Sequence, residues 1–229
     1  MSMRMRRKRN FNERMLSCSD VLLARGAGGI LNMKEAAERF RATIDFTQAF
    51  NNDRPVELEI GCGKGGFARG EAISHPDTAY IAVELITDVI VQAAERTPKE
   101  EYKNVVFLNT NASRLHRIFP AGSFERIHIN FCDPWPKKRN AKRRLTCRTF
   151  LSLFRPLLSE GGCIAFKTDN ADLFEYSLPE FEAAGYRTEK VTRDLHASEY
   201  YGCDTETEYE KAFSEKGTPI CRLEAYPIR

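Results

Sequence analysis

The sequence predicts an α/β fold: a mostly parallel, seven-stranded sheet with helices on both faces. Two observations predict it. From about residue 55 onward, short apolar runs alternate with longer segments whose apolar residues recur at helical spacing. A Gly-rich turn, Gly61-Cys62-Gly63-Lys64-Gly65-Gly66, joins the first run to the first such segment. Repeated strand–helix units give parallel strands whose crossovers cover both faces of the sheet.

Residues 1 to about 20 are polar and basic without a clear period, and 1–32 are expected to form a flexible basic arm. Apolar positions at Met33, Ala36, Ala37, Phe40, Ile44 and Phe50 predict a helix over 33–50, opening a single domain that runs over 33–229. Strands are expected at 56–60, 79–83, 105–108, 126–131 and 163–167, with closing strands at 186–191 and 220–226. Helices are expected near 66–74, over 86–96 ahead of Pro98, near 113–118 and over 171–184. A basic amphipathic helix is expected from 142 to 158, stopped by Glu160-Gly161-Gly162.

The chain has 229 residues, enough for one domain with a full core, and its 42% hydrophobic content suits a globular protein. No run of 18 apolar residues occurs, so no membrane-spanning helix is expected, and the basic N-terminus lacks the apolar stretch of a secretory signal. The seven cysteines form no C-x-x-C pair, which argues against a zinc site or disulfide framework and fits a reducing cytoplasm. His75, His116, His128 and His196 are dispersed without metal-ligand spacing, so no metal is expected. Net charge is only +3, but residues 1–10 carry five Lys or Arg and 137–148 carry seven, with no acid in either segment. That leaves 23 basic against 32 acidic residues elsewhere. An acidic body with two basic segments points to a directed contact with a polyanion; a solvated helix face and tail is the bland alternative.

The most informative stretch is Asp133-Pro134-Trp135-Pro136-Lys137-Lys138-Arg139-Asn140-Ala141-Lys142-Arg143-Arg144. It sets a carboxylate, a flat aromatic ring and six cations just beyond a strand. That suits an enzyme acting on a base within a nucleic acid. Trp135 can stack on a base or pack beneath the turn, and the residues alone leave both open.

The Gly-rich turn taken alone fits a nicotinamide dinucleotide and S-adenosylmethionine equally, since Gly61, Gly63 and Gly66 satisfy G-x-G-x-x-G. Other residues break the tie. Glu84 ends the second strand, where a carboxylate accepts from ribose hydroxyls. Glu59 just ahead of the turn would repel a pyrophosphate but suits an ammonium or sulfonium; a paired structural acid is the alternative. Asn111 can read an adenine edge or cap a helix before Ser113.

Together these residues resemble bacterial tRNA (guanine-N7-)-methyltransferases, the TrmB family, over about residues 55–226. The resemblance rests on Leu58-Glu59-Ile60-Gly61-Cys62-Gly63-Lys64-Gly65, Asp133-Pro134-Trp135-Pro136-Lys137-Lys138-Arg139, Lys142-Arg143-Arg144-Leu145, Lys167-Thr168-Asp169 and Thr205-Glu206-Thr207-Glu208-Tyr209-Glu210. It implies a Rossmann-like class I methyltransferase that moves a methyl from S-adenosylmethionine to guanine N7 in the tRNA variable loop, conventional position 46. It implies cofactor binding by Glu59, Gly61, Gly63, Glu84, Asn111 and Asp133, with Asp133 also catalytic. Substrate binding falls to Lys137, Asp169, Thr207, Glu208, Tyr209 and Glu210. Contact with the RNA falls to Arg139, Asn140, Ala141, Lys142, Arg143 and Arg144. The expected partner is tRNA, with no membrane and no obligate protein partner, in a monomer or homodimer in the cytoplasm. Three positions depart from the family: Cys132 stands where Pro is usual, Asn140-Ala141 replaces a His-containing pair, and Asn111 stands where Asp is common. The rivals are an exocyclic-amine methyltransferase, whose usual motif is D-P-P-aromatic, and an RNA-binding module with a degenerate cofactor pocket.

Overall fold

The computed structural model describes residues 54–203, 205–214 and 217–228, together with 10, 13–14, 17–18 and 21–23. The basic residues 1–9 and the helix expected over 33–50 lie outside the described residues. The strands are β1 Leu22–Leu23, β2 Val56–Ile60, β3 Ala79–Glu84, β4 Val105–Asn109, β5 Phe124–Asn130, β6 Leu158–Thr168, β7 Tyr186–Thr192 and β8 Cys221–Pro227. The α-helices are α1 Gly66–Ser74, α2 Thr87–Glu95, α3 Leu115–Ile118, α4 Arg148–Phe154, α5 Ala171–Ala183 and α6 Glu208–Ser214. All seven expected strands are present and lie in one sheet, in the order β1-β4-β3-β2-β5-β6-β8-β7. Only β8 runs antiparallel, to both β6 and β7.

From β2 the chain builds outward through β3 and β4, then returns to the other side of β2 as β5. Connections on either side of β2 therefore diverge, leaving a crevice beyond the carboxyl ends of β2 and β5.

The central strands are largely buried on both faces, while the edge strand β7 is mostly not, and the alternation of the central strands sorts two kinds of interior. Leu58 and Ile60 join Ile81, Val83, Ile127, Ile129, Phe166, Phe154 and Phe174 in the larger apolar core. On the opposite face Tyr80, Ala82 and Phe107 pack beneath Ile90, Val91 and Ala94 of α2 and Ala68 and Ala72 of α1. Along that second face the register runs Phe107, Ala82, Glu59, His128, Ala165, Glu224, and one pleat further on, Asn130, Lys167, Arg222. The second face is thus apolar at β3 and β4 and polar from β2 to β8.

Two findings differ from the sequence expectation. No helix spans 142 to 158. Residues Lys138–Arg143 form a 3-10 turn, α4 covers only Arg148–Phe154, and Arg155–Leu157 is again 3-10. Pro156 cannot extend the helical hydrogen-bond ladder. Glu160-Gly161-Gly162, read as a helix stop, lies inside β6, where a Cβ on Gly162 would come within 3.0 Å of the Phe124 and Glu125 carbonyl oxygens. A larger residue there would press on the β5 backbone, and glycine relieves that contact.

Residues 22–23, within the segment expected as a flexible arm, form an eighth strand pairing parallel with β4. Cys18, Val21 and Leu22 are buried in the second core, and Arg14 donates two hydrogen bonds to Glu95 of α2 at 2.5 and 2.6 Å. This segment covers the edge of β4 that would otherwise expose unpaired backbone groups. Leu22→Ala should accordingly lower the unfolding free energy by about 2–4 kcal/mol, as for a buried leucine. Urea denaturation giving a loss below ~0.5 kcal/mol, the surface value, would show that the segment is not part of the fold.

Candidate active site

At the crevice lies a cavity of about 440 Å³, lined by the Gly-rich turn and Glu59 from β2, Phe67 from α1, Asn130 and Phe131 at the end of β5, and Thr207 and Tyr209 across from them. A larger cavity, about 880 Å³, lies at the opposite end of the sheet and is lined by none of the sequence-predicted residues.

Gly61 and Gly63 adopt φ of +84° and +55°, and a Cβ on either would meet nothing within 4 Å. The turn is left-handed with space beside it, so a ligand can lie directly against its backbone. It is fastened to β3 by Gly61 and Cys62 N–H donating to the Val83 carbonyl at 2.8 and 3.0 Å. Glu84 completes the clamp: one carboxylate oxygen accepts from Gly63 N–H at 3.2 Å and the other from Ile86 N–H at 2.8 Å, at the start of α2.

Glu59 is 5% exposed, and its Oε2 has no hydrogen-bond partner. Burial pushes its carboxyl up to about 7, against the opposing pull of His128, Asn130 and Lys167. Asn130, one pleat beyond His128, is also buried, and neither its Oδ1 nor its Nδ2 has a partner. Phe131 follows with φ of +49°, a strained conformation for a non-glycine residue, and its N–H donates to the Lys167 carbonyl at 2.9 Å.

The far wall is built on a buried ion pair. Lys167 Nζ lies 3.0 Å from Glu210 Oε2, and both side chains are only 2% exposed. Glu210 is also half of a reciprocal helix cap: its N–H donates to Thr207 Oγ1 at 2.8 Å, and its carboxylate accepts from Thr207 N–H at 3.5 Å. Thr205 N–H donates to buried Glu71 of α1 at 2.6 Å. Tyr209 is exposed, packs against Phe131 at 5.0 Å and stacks on Phe213 at 4.5 Å. Its hydroxyl is raised by burial and by the charge of Asp169. His196 approaches Glu206 and Glu210 at 3.8 and 3.7 Å, a grouping hidden by the linear spacing of the histidines. Lys167 already neutralises Glu210, so these groups form an ion-pair network.

Beyond Phe131, Asp133 is exposed at the head of the Pro-Trp-Pro turn. Arg144 folds back on this turn, its guanidinium donating to the Pro134 and Trp135 carbonyls at 2.8 and 3.1 Å and covering Tyr176 at 4.1 Å. Arg143 lies over the half-buried Trp135 ring at 4.8 Å. Lys137, Arg139, Lys142 and Arg143 are exposed, while Asn140 and Ala141 are half-buried.

The structure thus gathers Glu59, Gly61, Gly63, Thr207 and Tyr209 around one cavity, with Glu84 and Glu210 one bond behind its walls. Asp133, Lys137, Asp169 and Asn111 do not line it. Asn111 Oδ1 caps the 3-10 turn by accepting from Ser113 N–H at 2.9 Å. Glu208 opens α6. Sequence reasoning missed Asn130, Phe131 and the buried role of Lys167. For Asn130 the signal was its place at the carboxyl end of an alternating strand, on the same face as Arg126 and His128.

A family model described as "Putative methyltransferase" matches residues 53–223. The chain is 47% identical over 176 residues to a protein of Bacillus licheniformis named tRNA (guanine-N(7)-)-methyltransferase, covering 77% of this chain and 82% of that one. A protein of the same name from Listeria monocytogenes is 47% identical over 178 residues, covering 78% and 83%. One from Streptococcus pneumoniae is 43% identical over 196 residues, covering 86% and 90%. Among solved structures, "Structure of an antibiotic related Methyltransferase" superposes with a TM-score of 0.61 at 18% identity, over 80% of this chain and 93% of that one, a likeness of fold alone.

The raised Glu59 carboxyl has a consequence for stability. Between pH 4.5 and 7 the folded chain keeps a proton that the unfolded chain has released, so this residue's contribution falls as pH rises through that window. From pH 5 to 8 the parent should lose about 2–3 kcal/mol of unfolding free energy relative to Glu59→Gln. Denaturant curves whose separation is the same at both pH values would mean that Glu59 titrates as an ordinary carboxylate.

Proposed function

Because the chain belongs to the tRNA (guanine-N(7)-)-methyltransferase family, we infer that it transfers a methyl group from S-adenosylmethionine to N7 of a guanine in the tRNA variable loop. The observation that carries this reading is a juxtaposition at one end of the sheet. A cavity floored by an orphaned buried carboxylate adjoins a rim where exposed cations follow Asp133.

The cavity's residues fit the methyl donor. Glu59 Oε2, buried and unpartnered, suits a cationic group. The space beside Gly61 and Gly63 admits a ligand against the backbone. Glu84 keeps lone pairs for ribose hydroxyls, and Asn111, with Oδ1 engaged in its cap, keeps amide N–H groups for an adenine edge. S-adenosylmethionine, when bound, supplies a methyl on a positively charged sulfur that is already a good leaving group.

Guanine N7 carries an in-plane lone pair, so the chain's residues need remove no proton. Their task is alignment and charge stabilisation. Burial holds the Cys62 thiol up, and burial with the Asp133 charge pushes Cys132 to about 12, so neither is a thiolate nucleophile at neutral pH. The carboxylates of Asp133 and Asp169 stabilise positive charge as it grows on the base. Tyr209 and Phe131 offer aromatic faces to a base withdrawn from its stack. Thr207, Glu208 and Glu210 belong to the substrate-binding segment, with Glu210 acting through Lys167 and the cap. Lys137, Arg139, Lys142 and Arg143 meet phosphates, and Arg144 holds the turn that presents them. All these groups come from one chain, so the reading needs no protein partner. Its substrate is in the cytoplasm, and no helix among the described residues is long and apolar enough to cross a membrane.

Incubation with unmodified tRNA and a labelled methyl donor, followed by nucleoside identification, should yield 7-methylguanosine; any other methylated nucleoside overturns the reading. In the same assay Asp133→Asn should slow the single-turnover rate by about 10²-fold, with tRNA affinity changed far less. A near-parent rate would make Asp133 a turn-former only.

A further inference from the structure

We propose that Glu71 is a positioning residue for methyl transfer. From α1 it latches the root of the segment that carries Thr207, Tyr209 and Glu210, and so sets where the base is received. This role rests on the reading of the crevice as the site of guanine methylation.

Glu71 is 4% exposed on α1, a helix whose other buried residues are Phe67, Ala68 and Ala72. A carboxylate there carries a desolvation cost that an apolar side chain would not. What offsets that cost is specific. One oxygen accepts from Thr205 N–H at 2.6 Å, between residues 134 positions apart. The other accepts from the Tyr80 hydroxyl at 3.4 Å and lies 3.2 Å from Nδ1 of the half-exposed His75. The short bond is the one to Thr205. Tyr80 and His75 hold the second oxygen and so aim the first.

The preceding residue points to the same partner. Gly70 lies in the interior of α1, where glycine weakens a helix. A Cβ on Gly70 would come within 2.4 Å of Thr205 Cγ2. The missing side chain is thus a notch that seats the Thr205 methyl, and the adjacent carboxylate holds its N–H. From β6, Lys167 Nζ donates to the Thr205 carbonyl at 3.4 Å while pairing with Glu210 at 3.0 Å. Both backbone polar groups of Thr205 are therefore taken up, one from α1 and one from β6.

The consequence reaches the crevice through a short stretch of chain. Thr207 lines the cavity and caps α6, and Tyr209 lines it while packing on Phe131. Four residues separate Thr205 from Tyr209, so little chain is available to absorb a shift at the root. Lys167 ties this wall to β6, and Glu71 ties it to α1. Two anchors on different elements prevent the pivoting that one would allow.

The test compares Glu71→Ala, Glu71→Gln and Gly70→Ala with the parent in single-turnover methylation at saturating tRNA and S-adenosylmethionine. Calorimetry with S-adenosylhomocysteine and hydrogen exchange over residues 205–214 accompany it. Glu71→Ala should slow methylation by about tenfold to a hundredfold, the scale of a small misplacement of reacting groups. Exchange over 205–214 should rise on the order of tenfold, as for a lost bond to a charged group. Affinities for tRNA and for S-adenosylhomocysteine should stay within about threefold of the parent, since phosphate contacts lie on the basic run. Glu71→Gln keeps an acceptor for Thr205 N–H and should recover most of the rate. Gly70→Ala leaves the carboxylate but fills the notch, and it should also slow methylation. Because alanine favours a helix, that loss cannot come from a weakened α1, and this variant decides the matter if Glu71→Ala does not fold. A folded variant that methylates at the parent rate overturns the proposal. So does a slowed Glu71→Ala whose exchange rises in α1 and β3 but not over 205–214, which would make Glu71 a packing group only. A parent that forms no 7-methylguanosine overturns the methylation reading and this role with it, whereas an active parent with equally active variants overturns the role alone.

Discussion

Strand β2 turns Leu58 and Ile60 to one face of the sheet and Glu57 and Glu59 to the other, and much of the molecule's polar interior answers that second pair. Glu57 meets His128 of β5 at 2.7 Å. Two strands beyond His128 in its own row, Glu224 is buried, which alone would raise its carboxyl. Hydrogen bonds from Lys190, Tyr226 and Arg222 instead hold it down to about 2. Glu59, in the same row, has only the weaker pull of His128, Asn130 and Lys167 against its burial and rises to about 7. Two buried glutamates on one sheet face therefore sit at opposite ends of the carboxylate range. The difference is satisfaction: the fold completes the environment of one and leaves the other open onto a cavity.

The ion pair of Lys167 with Glu210 extends this polar layer to the segment across the crevice. A buried pair gains little net stability, because desolvation offsets much of its attraction, but removing one partner strands a charge. Its value here is placement. Lys167 sits on a rigid central strand, and Glu210 caps α6 through Thr207. The half-exposed Tyr209 between them is thereby held against Phe131 at the mouth of the cavity. One end of the sheet thus carries both walls of the site, with Arg144 performing the same service for the Asp133 turn.

Much of this was legible in the sequence, for reasons that differ by element. The parallel strands are apolar on at least one face along their length, so 56–60 and 79–83 announce themselves without tertiary information. The Gly61-to-Gly66 turn and the Asp133-to-Pro136 turn are legible because their residue types suit few other conformations. The helix expected over 142–158 failed because helical spacing of apolar residues outweighed Pro156, while the need for Gly162 arises only when β5 lies against β6. Strand β1 left no signal, since two residues of edge pairing carry no period. Asn130 and Lys167 could be read as polar residues at the carboxyl ends of their strands. Their adjacency depends on the register of β5 on β6, which no local pattern encodes. Helix α6 was masked differently: Thr207-Glu208-Tyr209-Glu210 is a capping box, but the resemblance drew it toward substrate contact alone.

The central claim is that Glu59 on the second sheet face of β2, with Glu84 at the end of β3 and the Gly-rich turn between them, forms the proposed binding surface for the methyl donor. A crystal structure with S-adenosylhomocysteine tests it most directly. The ligand's ammonium should lie on Glu59 and its ribose hydroxyls on Glu84, with the Gly61-to-Gly66 turn beneath it. A ligand bound elsewhere, or bound here without contact to Glu59 and Glu84, would contradict it.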